Sequence, residues 1–335
     1  MTAAPADYRP PWWLRGRHLQ SLWGPLRRRP RRPSLRRERW ETPDGDFLDL
    51  DWLASPPAET RAPGVVVLHG LEGSSESHYA LGLMGLVEAR RWRGVVVHFR
   101  SCSGELNRLG RLYHSGETAD LGWVLGRLIE TAPGARLGLV GVSLGGNVAL
   151  KWLGEQGDSV PDEVAAAVAI SVPFDLAACA AVLDRGLNRL LYTAHFLRTM
   201  KRKIRAKAPL YAERVDVPSA LRARTFRLYD RFVTAPIFGF EDEEDYWRRS
   251  SSGPYLSKIR RPALLISAEN DPFVPPATLP RAEVERSPWL EAAFPAQGGH
   301  AGFLEGGGPG PSWAERRAVD FLARHLAPCR PAGAT

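Results

Sequence analysis

A serine between two glycines constrains the fold of this chain more than any other feature. A short apolar run, Leu137 to Val142, leads to Ser143, and a helix-like sequence follows it. Gly141 and Gly145 complete a Gly-x-Ser-x-Gly pattern, which needs glycine because a Cβ at either position would strike the neighbouring strand or helix. A strand, tight turn and helix in this order expose the hydroxyl at the positive N-terminal end of a helix. Ser143 is therefore the predicted nucleophile.

A second glycine loop follows an earlier apolar run. The run Gly64 to Leu68 ends at the sequence His69 to Ser74, which alone is typical of an ordinary glycine turn. Together with the serine motif, it favours a functional interpretation. We expect the backbone N–H of Leu71 to converge with that of Leu144 and form an oxyanion hole. His69 is expected to be structural, holding this loop through a hydrogen bond.

An acid and a base are predicted after two later strands. Asp271 follows an apolar run, and His300 lies in a glycine loop after the last predicted strand. An aspartate at a strand end can accept a hydrogen bond from a histidine and fix its tautomer. Ser143, Asp271 and His300 also stand in the chain order expected of a triad on a parallel sheet. Glu269 and Asp175 are the alternative acids.

The order of the predicted elements indicates the architecture. Strand and helix patterns alternate up to Pro173, which predicts a parallel sheet covered by helices on both faces. Arg39 to Thr42 and Phe47 to Trp52 flank a turn sequence and predict antiparallel edge strands. From Phe174 to Tyr255 only helix-forming stretches occur, and they favour a cap over the carboxyl ends of the strands. The predicted parts are a basic N-terminal arm over 1–35, an α/β core over 36–173 and 256–330, and a helical cap over 174–255.

The net charge of +8 is concentrated in one stretch. Residues 27–39 hold eight arginines and one glutamate, so they carry +7 and leave +1 for the rest of the chain. A solvated basic stretch is the simpler interpretation, and weak contact with anionic lipid headgroups is the alternative. Nucleic-acid binding is not expected, because no recognition fold accompanies the charge. Solvated helix faces likewise explain a basic cluster over 201–207, for which a phosphate-recognition patch is the alternative.

The remaining composition concerns redox state and location. Cys102, Cys179 and Cys329 lie far apart without a Cys-x-x-Cys pair, which predicts reduced thiols and no metal site. No apolar run is long enough to cross a membrane. The N-terminal sequence lacks the apolar core of a secretory signal, so a cytoplasmic location is expected.

Several stretches together resemble the YheT-like branch of the α/β-hydrolase superfamily. This group of esterase-like proteins has bacterial members and eukaryotic relatives associated with phospholipid or acylglycerol cleavage. The matching stretches, in chain order, are Arg17–Leu22, His69–Ser74, His98–Glu105, Tyr113–Glu117, the Ser143 motif, Asn270–Phe273 and Gly298–Phe303. The resemblance implies the α/β-hydrolase fold and an ester or lipid hydrolase that needs no cofactor. Ser101 departs from the glycine of relatives, which concerns only the local shape of its loop.

These residues together predict a Ser-His-Asp hydrolase of carboxylic esters. His300 would take the proton of Ser143, and Asp271 would orient and stabilise the imidazolium. The substrate would be a small-molecule or lipid ester. An acyltransferase could use the same residues with an acceptor other than water. A non-catalytic binding protein that kept the fold is the third interpretation, although no member of the triad is missing.

Overall fold

Eight strands form one sheet in the computed structural model, which describes residues 8–57, 59, 61–211 and 214–327. In chain order the strands are β1 Leu35–Glu41, β2 Phe47–Leu53, β3 Gly64–Leu68, β4 Arg93–Val97, β5 Leu137–Val142, β6 Val164–Ile170, β7 Ala263–Ile266 and β8 Leu290–Ala293. Across the sheet the order is β1-β2-β4-β3-β5-β6-β7-β8. β1 pairs antiparallel with β2 and β2 with β4, while all other pairs are parallel. This confirms the predicted mostly parallel sheet with antiparallel N-terminal edge strands.

The central strands are apolar because both of their faces are covered. Every residue of β3 is buried, and Val66 lies in register between Val95 of β4 and Leu139 of β5. Alternation of polar and apolar residues would bury polar side chains on one face of such a strand. The continuous apolar runs in the sequence are therefore what this position in the sheet requires.

Helices cover both faces of the sheet. Those before the cap segment are α1 Arg17–Arg27, α2 His78–Ala89, α3 Ala119–Thr131 and α4 Leu144–Gln156. The helical spacing of apolar residues predicts a helix from Ser115 to Ile129, but α3 begins four residues later, at Ala119. The backbone N–H of Ser115 donates to the Tyr246 hydroxyl, and that of Gly116 donates to His114 Nδ1, which holds this stretch as a loop.

The segment over 174–255 contains helices and no strand among its described residues. The α-helices of this segment are α5 Leu176–Leu183, α6 Gly186–Asn188, α7 Ala194–Ala206, α8 Val217–Arg222, α9 Phe226–Tyr229, α10 Ala235–Phe238 and α11 Glu243–Ser250. Two π-helical turns, Arg189–Thr193 and Asp230–Thr234, connect α6 to α7 and α9 to α10. The sequence favours helix formation from Pro218 to Tyr229, and the structure divides this stretch into α8 and α9, since the Asp184 carboxylate accepts the backbone N–H groups that begin α9.

The last two helices are α12 Arg281–Arg286 and α13 Trp313–Leu326. α2 and α13 pack on one face of the sheet, and α3 and α4 pack on the other. The core therefore lies in two layers on either side of the strands, as the alternating sequence pattern predicts. In the described ranges, no helix has both the length and the apolar character needed to cross a bilayer.

Residues 8–28 do not spread over the surface as the arm prediction implies. Tyr8 is buried, and its hydroxyl donates to the carbonyl of Leu304 at 2.9 Å. Arg28 forms a buried ion pair with Glu315, with 2.6 Å between Nη2 and Oε2. The N-terminal segment is thus packed against the C-terminal part of the chain, although residues 1–7 lie outside the described residues.

The cysteine prediction is tested at two positions. Cys102 and Cys179 are free thiols. Burial raises the pKa of the Cys102 thiol to about 11, so that it stays protonated at neutral pH. Cys329 lies outside the described residues.

Candidate active site

Ser143 stands on the sharp turn between β5 and α4. Its backbone has φ 54° and ψ −119°, a conformation that side chains rarely adopt. A Cβ on Gly141 would lie 2.3 Å from the carbonyl oxygen of Gly145, and a Cβ on Gly145 would lie 2.4 Å from that of Leu68. Both neighbours are backbone atoms that cannot rotate away. The predicted reason for glycine on either side of the serine is therefore confirmed.

The structure brings the three predicted triad residues within hydrogen-bond distance. His300 Nε2 lies 3.0 Å from Ser143 Oγ. The other ring nitrogen, Nδ1, lies 2.9 Å from Asp271 Oδ2. The Asp271 side chain is fully buried, and its Oδ1 also accepts the backbone N–H of Phe273 at 2.8 Å. The Phe273 ring stacks on His300 with 3.9 Å between ring centroids, which fixes the plane of the imidazole.

The two alternative acids lie elsewhere and have other partners. Glu269 forms an ion pair with Arg281 on the surface. Asp175 precedes α5 and accepts the backbone N–H of Ala178 at 3.0 Å, as a helix N-cap does. Among the described residues, only Asp271 places a carboxylate against the His300 ring.

Gln20 of α1 supports the loop that carries His300. Its Oε1 accepts the backbone N–H of Gly298 at 3.1 Å and the Asn270 side-chain amide at 2.9 Å. Its Nε2 donates to Gln297 Oε1 and to the carbonyl of Leu14, both at 3.0 Å. Gln20 has no exposed surface. Both donors and both acceptors of its amide are thus used, and two of these bonds hold the loop directly.

Ser21 makes the contact nearest to the imidazole. Its hydroxyl accepts the backbone N–H of His300 at 2.8 Å and donates to the carbonyl of Arg17 at 2.7 Å. A Cβ on Gly299 would lie 2.7 Å from this hydroxyl, so the glycine allows the loop to approach α1. The sequence analysis missed this role. The available signal was that the stretches Arg17–Leu22 and Gly298–Phe303 both match the YheT-like proteins.

Leu71 and Leu144, the predicted oxyanion-hole residues, line the same pocket as Ser143 and His300. The two loops approach closely, since a Cβ on Gly70 would lie 3.3 Å from the Cβ of Ser143. In the described part of the chain, neither leucine N–H donates to a protein acceptor. A first-turn N–H has no partner within its own helix. Both N–H groups thus lack a protein acceptor among the described residues, as the predicted role requires.

Side chains from three directions fix the loop around Leu71. The Tyr79 hydroxyl accepts the backbone N–H of Gly70, and the Tyr113 hydroxyl accepts that of Glu72, both at 2.8 Å. The carboxylate of Glu72 forms an ion pair with Lys203 of α7 at 2.6 Å. One lysine of the basic cluster over 201–207 is therefore a half-buried partner of this loop, which the sequence analysis did not predict.

The structural role predicted for His69 is confirmed. Its Nδ1 lies 2.7 Å from the carbonyl oxygen of Gly70, and its Nε2 accepts the backbone N–H of Phe99 at 3.1 Å. Burial, with a smaller contribution from neighbouring His98, lowers the pKa of His69 to about 3. The ring is therefore neutral at physiological pH, which matches one donating and one accepting nitrogen.

The pocket above Ser143 is mainly apolar and is lined by the helices over 174–255. Its apolar lining residues from that segment are Leu176, Cys179, Ala180, Leu183, Phe196, Phe226, Tyr246 and Trp247. Asp230 is the buried carboxyl group in the same wall and accepts hydrogen bonds from Thr234 Oγ1 at 2.6 Å and Trp247 Nε1 at 2.8 Å. Burial raises the pKa of Asp230 to about 7. Such a pocket suits an acyl chain or another apolar group.

Comparison with known proteins identifies the family. A family model described as the alpha/beta hydrolase fold matches residues 63–307. The chain therefore belongs to the α/β-hydrolase family. YheT of Escherichia coli (strain K12) is 40% identical over 312 residues, which cover 92% of this chain and 91% of that protein. This similarity shows that the chain belongs to the YheT-like branch, as the sequence motifs indicate.

More distant comparisons extend the same picture. Phospholipase ABHD3 of Mus musculus is 31% identical over 305 residues, which cover 89% of this chain and 74% of that protein. Among solved structures, the Pyrococcus furiosus esterase Pf2001 superposes with a TM-score of 0.58 at 19% identity, covering 89% of this chain and 99% of that one. At this level of identity the likeness concerns the fold alone.

Proposed function

We propose that this protein is a serine hydrolase that cleaves carboxylic esters, lipid or acylglycerol esters among them, through an acyl-enzyme intermediate. The observation that carries the proposal is the pair of hydrogen bonds that joins Asp271 to His300 and His300 to Ser143 beneath an apolar pocket. The names of relatives support an ester substrate, since they include a phospholipase and the monoacylglycerol lipase of Saccharomyces cerevisiae, which is 25% identical over 277 residues.

In the first half of the reaction His300 acts as the general base. Its Nε2 takes the hydroxyl proton as Ser143 Oγ attacks the ester carbonyl carbon. The negative charge that develops on the carbonyl oxygen is bound by the N–H groups of Leu71 and Leu144, which remove the need for solvent to reorganise. Buried Asp271 stabilises the imidazolium and keeps Nδ1 protonated. His300 then gives its proton to the leaving alcohol, and the acyl group stays on Ser143.

In the second half water replaces the alcohol. His300 removes a proton from water, the resulting hydroxide attacks the acyl carbon, and the proton returns to Ser143 Oγ as the acid leaves. The helical segment over 174–255 acts as a cap on the core of 36–173 and 256–330. Its apolar wall holds the acyl or alkyl part of the substrate and limits access of bulk water.

Substitution of the nucleophile tests the proposal. Ser143→Ala should reduce ester turnover by about 10⁶-fold and abolish labelling by a fluorophosphonate. Ser267→Ala is the matched control, because Ser267 is a buried serine at the end of β7 whose hydroxyl has no partner among the described residues. That control should keep both activity and labelling. Turnover retained in Ser143→Ala, or labelling at another serine, would reject the proposal.

A chain-length series of esters, with a phospholipid included, would define the substrate. The apolar wall predicts that kcat/KM rises with acyl length until the pocket is filled, by up to about 3-fold for each added methylene. Adding a primary alcohol separates hydrolysis from transfer. Ester products formed at the expense of free acid would show that an acceptor other than water is used.

A further inference from the structure

One helical segment of the cap carries a positive charge that its partners among the described residues neutralise only in part. The 23 residues from Arg185 to Lys207 contain eight lysines and arginines and no aspartate or glutamate. The segment is helical through α6, the π-helical turn and α7. Such a run of one sign is disfavoured by mutual repulsion unless partners surround it or it faces an anionic surface.

The lysines of this segment are turned inward. Lys203 pairs with Glu72, while Lys201 and Lys207 donate to the carbonyl oxygens of Ala223 and Leu109. These three charges are thus used inside the protein.

The arginines of the segment behave differently. They are Arg185, Arg189, Arg198, Arg202 and Arg205, all exposed. Within the described part of the chain none of the five forms an ion pair. Their guanidinium groups are the type of donor that binds phosphate oxygens bidentately.

Exposed leucines lie among these arginines. Leu187, Leu190 and Leu191 are 52%, 68% and 36% exposed. Their spacing of three and four residues places them on one face of the helical segment. Three large apolar side chains on one exposed face, beside cations, are typical of a helix that lies in the interface of a membrane.

The opposite face of the segment lines the candidate active site. Phe196 of α7 is part of the pocket wall above Ser143, as is Leu183, two residues before the segment. The N-terminal helix adds to the outer surface, since His18 of α1 lies 3.0 Å from the Tyr192 hydroxyl and the next residue, Leu19, is 40% exposed. The segment that presents the leucines and arginines thus also contributes to the wall of the substrate pocket.

We propose that this face, formed by Leu187, Leu190 and Leu191 with the five arginines, docks on the surface of an anionic phospholipid membrane. The leucines enter the boundary between headgroups and acyl chains, and the arginines bind lipid phosphates. A second copy of the chain is a poor occupant, because in a two-fold dimer five arginines without an ion pair among the described residues would face another five. Docking goes beyond ester hydrolysis and needs no turnover.

Vesicle sedimentation of the Ser143→Ala protein measures docking without lipid cleavage. The probe is phosphatidylcholine vesicles with and without about 30% phosphatidylglycerol. We expect sedimentation with the anionic vesicles, weakening as salt rises from low to physiological strength, and little with phosphatidylcholine alone. Absence of binding to the anionic vesicles would overturn the proposal, whatever the outcome of ester assays.

Two sets of substitutions locate the surface. Arg185→Glu with Arg189→Glu and Arg198→Glu should lower the partition coefficient at least about 100-fold, because each basic residue at an anionic surface contributes roughly 5-fold. Leu187→Ser with Leu190→Ser and Leu191→Ser should lower the partition coefficient about 10-fold. This loss should be the same at high salt, because it comes from apolar contacts. The matched control is Arg286→Glu with Arg317→Glu, two exposed arginines outside the cap. It should leave binding within about 2-fold.

The stretch over 27–39 is the competing site. Arg29→Glu with Arg31→Glu should leave binding nearly unchanged. If this variant loses binding while the cap variants keep it, the arm docks and the proposal is wrong. A dimer that dissociates in the leucine variant, with no lipid binding, would show that a second copy covers the face. Circular dichroism of each variant verifies that the fold is retained.

Discussion

Ser143 and His300 lie 3.0 Å apart, yet the chain holds them in different ways. Ser143 is fixed by its covalent neighbours, since β5, α4 and the two flanking glycines determine its turn. His300 stands on a loop that depends on Ser21, which is 279 residues away in the sequence. The nucleophile is therefore positioned by local backbone geometry and the base by long-range side-chain contacts. Substitutions at the Ser143 turn should therefore mainly lower stability, whereas substitutions that support the His300 loop should mainly lower kcat.

After loss of the nucleophile itself, the largest effect is expected where Asp271 joins the His300 loop to the sheet. Asp271→Asn should lower kcat about 10⁴-fold while the fold is kept, because the amide favours the wrong tautomer of the imidazole. The control is Glu269→Gln, since Glu269 is the other acid near this strand end and pairs only with Arg281 at the surface. Steady-state kinetics should show a change of less than 2-fold there. A larger loss in the Glu269 variant would assign the acid to that residue.

Gly145→Ala tests the local side of the comparison. Its Cβ would lie 2.4 Å from the carbonyl oxygen of Leu68 and 2.6 Å from that of His69, and neither backbone atom can give way cheaply. We expect a loss of about 3 kcal/mol or more in the free energy of unfolding, measured by urea denaturation.

The matched control for this variant is another helical glycine. Gly126→Ala in α3 meets nothing within 4 Å and should stabilise the protein by up to about 1 kcal/mol. Equal urea midpoints for the two variants would show that the turn at Ser143 is not set by its glycines.

Gln20→Ala tests the remote side. It removes four hydrogen bonds, two of which hold the segment that leads to His300. As Gln20 is a positioning residue, kcat for a soluble ester should fall about 10- to 100-fold with KM unchanged. Gln20→Glu keeps the two bonds accepted by Oε1 but sets an oxygen against the carbonyl of Leu14 and Gln297 Oε1, so it should not restore kcat.

A control variant and a stability measurement distinguish a positioning role of Gln20 from a purely stabilising one. Gln156→Ala, at an exposed glutamine that ends α4, should leave kcat unchanged. If Gln20→Ala lowers the midpoint of unfolding but leaves kcat intact, α1 stabilises the fold without positioning the base.

The same contrast explains what the sequence could predict. The sequence predicts a strand from Gly64 to Leu68 and a helix from Trp313 to Leu326, and β3 and α13 have these bounds. A buried apolar run and an amphipathic helix leave signals within a dozen residues. The spacing around Ser143 likewise predicts its turn, since the clashes that require glycine involve Gly141, Gly145 and the adjacent strand. The strand, the helix and the glycine pattern are thus visible in short stretches of sequence, although the clash at Gly145 is with Leu68 at the end of β3.

The support of His300 leaves no such signal. Nothing near Gln20 indicates that its amide meets Gly298, because the two are 278 residues apart and their contact depends on the whole sheet being assembled. The break in the cap before Phe226 is also set by a distant side chain. Asp184, which follows α5, accepts the backbone N–H of Phe226 and so starts a new helix there. Contacts between distant side chains are therefore the part of the site that a single sequence does not reveal.

The basic stretch over 27–39 shows the same limit for charge. Five of its eight arginines form ion pairs, among them buried Arg28 with Glu315 and Arg39 with Asp49. The exposed arginines over 185–207 form none among the described residues. The first stretch is the more densely charged in sequence, yet only three of its arginines lack an ion pair among the described residues, against five in the second stretch.

The smallest expected effect concerns His78, which lies beneath α1. Its ring would be 2.6 Å from a Cβ on Gly24, and burial, followed by the charge of Arg28, lowers its pKa to about 3. Because this folded-state pKa lies below the unfolded value of about 6.5, the neutral ring stabilises the fold fully above pH 6.5. That stability is lost as the pH falls towards 3.

His78→Gln should therefore make the loss of stability in acid shallower. Between pH 4 and 6 the slope of the unfolding free energy should fall by about 1.4 kcal/mol per pH unit, measured by urea denaturation at several pH values. His69 and His114, whose pKa values burial also lowers to about 3, keep their own shares of the slope. An unchanged slope would mean that protonation of His78 does not disturb the contact of α1 with α2. The support that α1 gives to the His300 loop would then not weaken in acid through His78. The Ser143 turn and the His300 loop would then differ only in how their variants change the kinetics.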